Sequence, residues 1–255
     1  MKITLTCILA IFLAFLISSC AKEYSYEGGG TLANARKCIA CSYLPICDSS
    51  TFVYVDSNGR RIDTTRGTAT ILNDTTVNGI TYTKVAGYAT FGQGLWYNCA
   101  NGDYKVLLSL SGFGINIDSI VHALLQTVQS PIPIPSNLIQ VPDKFRTSIL
   151  KTTLPVGGAW RDTIYSLSFP PLISIFLGLD YKILEKGVTR TVFNHTYNNV
   201  IHVQAKMAAT LPAGINIPLT YTMDYYFSQD VGLIEAEAKN GTTLMQNSRL
   251  FAYHL

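Results

Sequence analysis

The sequence predicts a mainly β protein: antiparallel sheets in two related halves, open half-barrel or sandwich-like, with one amphipathic helix between them. Three observations predict it. Short alternating runs rich in Thr, Tyr and Val recur along the chain, punctuated by Asn-Gly and similar turns. Only 14% of the residues are charged, against a usual ~25%; Thr, Ser, Asn and Tyr take up the difference, which suits exposed sheet. One stretch, Ile117 to Val128, carries a helical apolar period.

The first elements are not part of the fold. Lys2 gives a positive start, Ile3 to Ile17 are almost unbroken apolar residues, and Ser18 and Ser19 make a small-residue exit. These are the parts of a secretory signal peptide, residues 1–19. The run is too short for a bilayer core of ~30 Å, which takes about 20 apolar residues. The segment Ile17-Ser18-Ser19-Cys20 resembles the lipobox of bacterial lipoproteins. That resemblance implies lipidation of the Cys20 thiol, cleavage before it and acylation of the new amine. Several acyl chains, each methylene worth ~0.8 kcal/mol, hold a protein on a membrane where one chain does not. Ala21 in place of Asp favours the outer membrane under the same resemblance. Residues 20–36, with Gly28, Gly29 and Gly30, read as a lipidated tether. The formal net charge of +3 is small and scattered, so nucleic acid is not expected as a partner.

Cys7 leaves with the leader and Cys20 takes lipid, which leaves Cys38, Cys41, Cys47 and Cys99. In an oxidising compartment they read as two disulfides, with three connectivities open. One of the three clustered cysteines paired with Cys99 would staple this stretch to the body. A zinc site has the ligand count, and Cys38-Ile39-Ala40-Cys41 has redox spacing, but no strand and helix flank it as that chemistry wants.

In the first half, residues 37–130, Thr51 to Val55 reads as a strand, Asp56 to Gly59 as a turn and Arg60 to Thr65 as the rest of a hairpin. Gly67 to Leu72 is a strand, Asn73 to Gly79 is turn-rich, and Ile80 to Val85 and Gly87 to Phe91 are strands. Leu95 to Cys99, the turn Ala100-Asn101-Gly102-Asp103 and Tyr104 to Leu110 form the clearest hairpin. Asn116 or Asp118 caps the helix, whose Ile117, Ile120, Val121, Leu124, Leu125 and Val128 share one face. Residues 131–153 are a Pro-rich connection opened by Pro131, Pro133 and Pro135.

The second half, residues 154–255, reads as strands at 161–169, 179–186, 188–193 and 200–207, a hairpin from Leu219 to Lys239, and a last strand from Ser248 to Tyr253. The apolar run Leu172 to Leu177 fits neither strand nor helix decisively. The halves echo each other: Val77-Asn78-Gly79-Ile80 to Val85 aligns with Phe193-Asn194-His195 to Val200. Likewise Trp96-Tyr97 with Tyr104-Lys105-Val106 aligns with Tyr225-Tyr226 and Leu233-Ile234-Glu235. The stretches Leu154-Pro155-Val156-Gly157 with Trp160, Thr196 to Ile201, and Tyr225-Tyr226 with Asp230-Val231-Gly232-Leu233-Ile234 resemble a pattern common in uncharacterised lipoproteins of Bacteroidota. The resemblance covers the second half well, Asn78 to Tyr104 loosely, and Cys38 to Cys47 not at all. It implies antiparallel β architecture, like the open half-barrels of periplasmic lipoprotein-sorting carriers, and brings no catalytic residue.

No arrangement of residues names a reaction, and we expect no enzyme, no cofactor and no metal. His122, His195, His202 and His254 lack the spacing of a zinc protease. Ser109-Leu110-Ser111-Gly112 is not a nucleophile elbow. Glu235 and Glu237 share a strand face, which reads first as a solvated face. Asp63-Thr64-Thr65 and Asp74-Thr75-Thr76, placed in turn regions, match a Bacteroidota O-glycosylation pattern, making Thr64 and Thr75 candidate sites. The expectation is an outer-membrane lipoprotein, on the periplasmic face or the cell surface, acting as a non-enzymatic binding or structural module. One alternative is a periplasmic carrier of a lipid or hydrophobic ligand, lined by the helix residues Ile117, Ile120, Val121, Leu124, Leu125 and Val128. The other is a surface glycan- or protein-binding module using aromatics such as Tyr54, Tyr88 or Trp96.

Overall fold

Fifteen strands and one helix make up the described part of the chain, and every strand pairing is antiparallel. The computed structural model describes residues 37–39, 41–58, 61–88, 95–108, 115–127, 144–169, 173–211 and 214–255. The signal peptide, Cys20, the tether and most of the Pro-rich connection lie outside them. Residues Arg36–Leu255 form one compact unit, to which all these strands and the helix belong.

The strands are β1 (Cys38–Ile39), β2 (Ile46–Cys47), β3 (Thr51–Ser57), β4 (Ile62–Thr68), β5 (Thr70–Val77), β6 (Ile80–Ala86), β7 (Leu95–Ala100) and β8 (Asp103–Leu108). Helix α1 (Ile117–Thr127) follows. Then come β9 (Phe145–Lys151), β10 (Ala159–Phe169), β11 (Ile173–Val192), β12 (His195–Thr210), β13 (Asn216–Ser228), β14 (Gly232–Asn240) and β15 (Thr243–His254). β1 and β2 form a small ladder. The large sheet runs β10-β11-β12-β13-β14-β15-β3-β4, and a second sheet runs β5-β6-β7-β8-β9.

Hydrogen bonding therefore does not follow a division of the chain at residue 130. β3 and β4, from the first half, complete the sheet of the second half through the β15–β3 ladder. β9, from the connection, closes the sheet of the first half by pairing β8. Two corners join the sheets. At one, the chain passes from β4 into β5 through buried Ala69. Ala69 donates to the Ser50 carbonyl at 2.7 Å and accepts from Ser49 at 2.9 Å. Gly87, at φ +75°, packs so close that a Cβ there would lie 2.1 Å from the Thr68 carbonyl oxygen, so only glycine fits. At the other corner, side chains of β10 satisfy backbone groups of β9. Asp162 accepts from the Ser148 amide at 2.6 Å and the Thr147 hydroxyl at 2.9 Å, and the Trp160 indole donates to the Ser148 carbonyl at 2.8 Å.

The inward faces of both sheets and the helix share one core, rich in tyrosine: Tyr54, Tyr88, Tyr97, Tyr181 and Tyr225 are all essentially buried. Their hydroxyls stay hydrogen-bonded, as burial requires: Tyr54 donates to the Leu233 carbonyl at 2.8 Å, and Tyr181 meets Thr147 at 2.7 Å. Asn116 caps α1, its side-chain oxygen accepting from the Ser119 amide at 3.0 Å.

Three readings of the sequence need correction. Asn73 to Val77 is strand, not turn; only Asn78 and Gly79 turn, both at positive φ. The stretch is polar on both faces, and it is held by cross-strand polar pairs, Asp74–Thr83 at 2.8 Å and Thr76–Thr81 at 3.3 Å, which an apolar pattern does not register. The run ending at Leu177 lies within β11, with Ile175 and Leu177 buried and Phe176 exposed between them, the alternation of a strand. The stretches 179–186 and 188–192 belong to this one strand rather than to separate ones, and Phe193 begins the turn that follows.

Candidate functional site

The outward face of the large sheet carries a charged network that begins with β-bulges. β11 shifts register against β12 between Ile183 and Glu185, Lys186 and Val188, and Val188 and Arg190. Each bulge bends and twists its strand. As a result the end of the β11–β12 hairpin turns back over its own sheet. Arg190, on β11, reaches across β12 and β13 to Glu235 on β14: its Nε donates to Oε2 at 2.7 Å and its Nη2 lies 2.5 Å from the same oxygen. Its guanidinium carbon sits 3.4 Å from the Tyr226 ring centroid. Phe193, at the hairpin tip with φ 52°, meets Phe251 of β15 at 5.6 Å and lies 4.7 Å from the Arg249 guanidinium carbon.

Register explains the rest. His202 and Tyr226 are cross-strand partners, as are Gln204 and Asp224, Tyr226 and Glu235, Asp224 and Glu237, Glu235 and Arg249, and Glu237 and Asn247. His202 stacks on Tyr226 at 4.1 Å, its Nε2 lies 2.9 Å from Asp224 Oδ1, and its Nδ1 lies 3.6 Å from Glu185. Gln204 donates to the same Asp224 oxygen at 3.0 Å. Lys239 donates to Glu237 at 2.5 Å, and Asn247 donates to it at 3.3 Å. Asp224, Tyr226 and Glu235 are all buried. Arg249 Nε and Asn247 Oδ1, also enclosed, have no hydrogen-bond partner among the described residues.

Burial pushes the Asp224 carboxyl up, but hydrogen bonds from His202 and Gln204 and the charges of His202 and Lys239 outweigh it. The net effect holds this group below the ordinary carboxylate value. Burial pushes the Tyr226 hydroxyl up to about 12 against the opposing pull of Arg190. The face thus presents alternating cations, carboxylates and amides in fixed positions. Glu235 and Glu237, expected on a solvated face, are instead engaged by Arg190 and by Lys239 with Asn247. Glu235 is buried because the hairpin lies over it.

The remaining sequence-derived candidates fall elsewhere. Cys20 lies outside the described residues. Cys38 is bonded to Cys47 and Cys41 to Cys99, which leaves these four sulfurs no thiolate for zinc. The Cys41–Cys99 bond, the hydrogen bond from Tyr97 to the Leu44 carbonyl at 3.4 Å, and that from Asp230 to the Ser42 carbonyl at 2.6 Å tie the cysteine loop to both sheets. Ile117, Ile120, Val121 and Leu124 are buried in the common core and Leu125 packs against it; Val128 lies outside the described residues. Thr64 is exposed on β4 and Thr75 half-buried on β5, both edge strands rather than turns. Tyr54 and Tyr88, expected from the sequence as exposed aromatics, are core residues. Each is 1% exposed, and their hydroxyls lie 3.2 Å apart. Trp96 is half-buried on the second sheet. Among the described residues, no group of three or more His, Cys, Asp and Glu is placed to hold a metal ion, and no helix is long and apolar enough to cross a membrane.

No family model and no curated protein matches the chain. Two solved structures are similar to it. One is a protein of Bacteroides fragilis inferred to be exported, with a YmcC-like fold: 9% identity, 84% of this chain and 100% of that one covered, TM-score 0.36. The other is a protein of Parabacteroides distasonis inferred to be a lipoprotein: 10% identity, 83% and 98% covered, TM-score 0.37. At these scores neither likeness supports an argument about this chain.

Proposed function

We propose that this chain is a non-enzymatic binding module, exported and held at the outer membrane through lipidated Cys20, and that it binds through the charged face of the large sheet. The observation that supports this face is a pair of enclosed polar atoms without a partner among the described residues, Arg249 Nε and Asn247 Oδ1, set within the charged network of Asp224, Glu235 and Glu237. Tyr82 Oη and Asp103 Oδ1 on the second sheet are enclosed in the same way but lie outside such a network. Natural folds leave few such atoms unsatisfied. An acceptor and a donor from one polar ligand, such as neighbouring hydroxyls of a glycan or a peptide group, would satisfy Arg249 Nε and Asn247 Oδ1. Access would come through movement of the Phe193 hairpin tip. The two disulfides support export, since such bonds persist in oxidising compartments.

The test uses a Cys20→Ala form of the chain whose own leader is replaced by a cleavable, non-lipoprotein signal for the periplasm. Thermal shift against a panel of glycans and peptides is compared between this form and its Asn247→Leu and Arg249→Met variants. A ligand that raises Tm in the parent and loses at least tenfold in affinity in both variants supports the proposal. Unchanged affinity in the variants removes the site from this face. Native mass spectrometry of the same preparation tests the carrier alternative, which a stoichiometric co-purifying lipid would favour. Restoring Cys20 and the leader should move the protein to the membrane fraction; failure to do so overturns the anchor.

A further inference from the structure

The second sheet has an outward face of a different kind. Its registers place Lys84 of β6 opposite Trp96 of β7, Trp96 opposite Leu107 of β8, and Leu107 opposite Arg146 of β9. Cross-strand partners project to one side. Neighbours on the other side, Val85, Leu95, Val106 and Thr147, are buried, so the row Lys84–Trp96–Leu107–Arg146 lies on the outer side, with Arg146 exposed, the other three half-buried and Tyr82 buried beside Lys84. Three interstrand steps make it about 14 Å long. Its middle is apolar and its two ends are cationic. Lys144, exposed just before β9, adds a third cation: its Nζ lies 5.8 Å from the Trp96 ring centroid, and that of Lys84 lies 5.3 Å from it. The adjoining carboxylate, Asp103, is held by Lys105 at 2.9 Å. Asp162 is committed to Ser148 and Thr147. Arg146 also acts on the neighbouring Tyr82 hydroxyl, opposing the rise in its pKa that burial causes.

We propose that this face docks on an anionic, phosphate-bearing membrane surface. Trp96 and Leu107 enter the headgroup boundary, and Lys84, Lys144 and Arg146 take the phosphates. Charge complementarity selects the occupant. An indole ring with a polar N–H favours the level between hydrocarbon and water, and each Lys or Arg near an anionic leaflet strengthens attachment. A row with an apolar centre and cationic ends matches a boundary whose hydrocarbon lies beneath a layer of phosphate. This docking is independent of the charged face of the large sheet and of the lipid anchor, and it is tested without the anchor.

The experiment is co-sedimentation of the leaderless Cys20→Ala protein with vesicles of phosphatidylcholine alone and of phosphatidylcholine with phosphatidylglycerol. Binding to the anionic vesicles, weakened by salt and absent from the neutral ones, is expected, together with a blue shift of tryptophan emission that Trp96→Phe abolishes. Removing two cations in Lys84→Gln/Arg146→Gln should lower vesicle affinity about thirtyfold. Removing two on the large sheet, in Lys182→Gln/Lys206→Gln, should leave it within about threefold, which separates this face from net charge. Lys84→Arg should retain binding. Equal binding to both vesicle types, or equal loss in the two double variants, overturns the proposal. So does binding to a soluble acidic polysaccharide with none to vesicles, which would assign the face to a glycan. Inorganic phosphate at vesicle-equivalent concentration should not displace the protein; displacement would mean an isolated phosphate site and also overturn it.

Discussion

Asp224 shows how one side chain can be read from its neighbours. Its carboxylate accepts from both His202 and Gln204, and their pull lowers its pKa despite burial. A carboxyl depressed in the folded state contributes stability that is complete above its unfolded value, about 3.9. That stability is lost as pH falls through the lower folded value. Tm measured against pH should therefore drop below about pH 4. Asp224→Asn should flatten that limb and cost about 2 kcal/mol at neutral pH; a limb of unchanged steepness in the variant would exclude this carboxylate as its cause. The sequence reveals little of this. Tyr54 and Tyr88 read as surface aromatics because strand alternation does not say which face turns inward. The partners of His202 lie on strands far along the chain, and no local spacing joins them. The cysteines are legible, because oxidised pairing follows from compartment and number, although which sulfur meets which is a matter of geometry.

At the level of elements, hairpins joined by Asn-Gly turns can be read directly, because turn and strand signals agree within a few residues. β5 hides behind its polar residues, and the long β11 hides its bulges, which depend on what the strand must reach. The cysteine loop is the element whose energetics are simplest to state. Cys41 and Cys99 are 58 residues apart, whereas Cys38 and Cys47 are 9 apart. Loop-closure entropy then assigns about 4 kcal/mol to the first bond and about 2.5–3 kcal/mol to the second. Cys41→Ser/Cys99→Ser should lose more stability in urea than Cys38→Ser/Cys47→Ser. The reverse order would mean that the short loop carries native contacts beyond its crosslink.

For the whole molecule, the mainly antiparallel class follows from composition and turn density, but the exchange of strands between sheets does not. Nothing near Thr51 announces a partner near His254, because pairing between distant segments is decided by the assembled core. Buried tyrosines line that core and the space beneath the β11–β12 hairpin. Burial pushes Tyr197 and Tyr226 up to about 12, and Tyr88 and Tyr181 well above their ordinary value. Groups raised in this way contribute stability that is complete below the unfolded pKa of about 10 and lost as pH climbs past it. Alkaline titration should show tyrosinate absorbance rising together with loss of the β circular-dichroism signal between about pH 10 and 12. Buried tyrosines that ionise near pH 10 with the sheet signal intact would refute this coupling.

β15 lies between β14 and β3, so the last strand of the chain joins segments that are made far apart in time. A polypeptide threaded through a membrane with its early residues leading cannot complete the large sheet while residues 243–254 are still behind the barrier. In a chain exported as proposed, β3 and β4 would wait on the far side as a hairpin whose β3 edge lacks its partner, and sheets built from such distant pairings form slowly. On the proposed export route, the arrangement that delays folding would also keep the chain loose enough to pass through a narrow conduit. It also places the moment of greatest exposure to proteases and to other chains just before that final strand arrives.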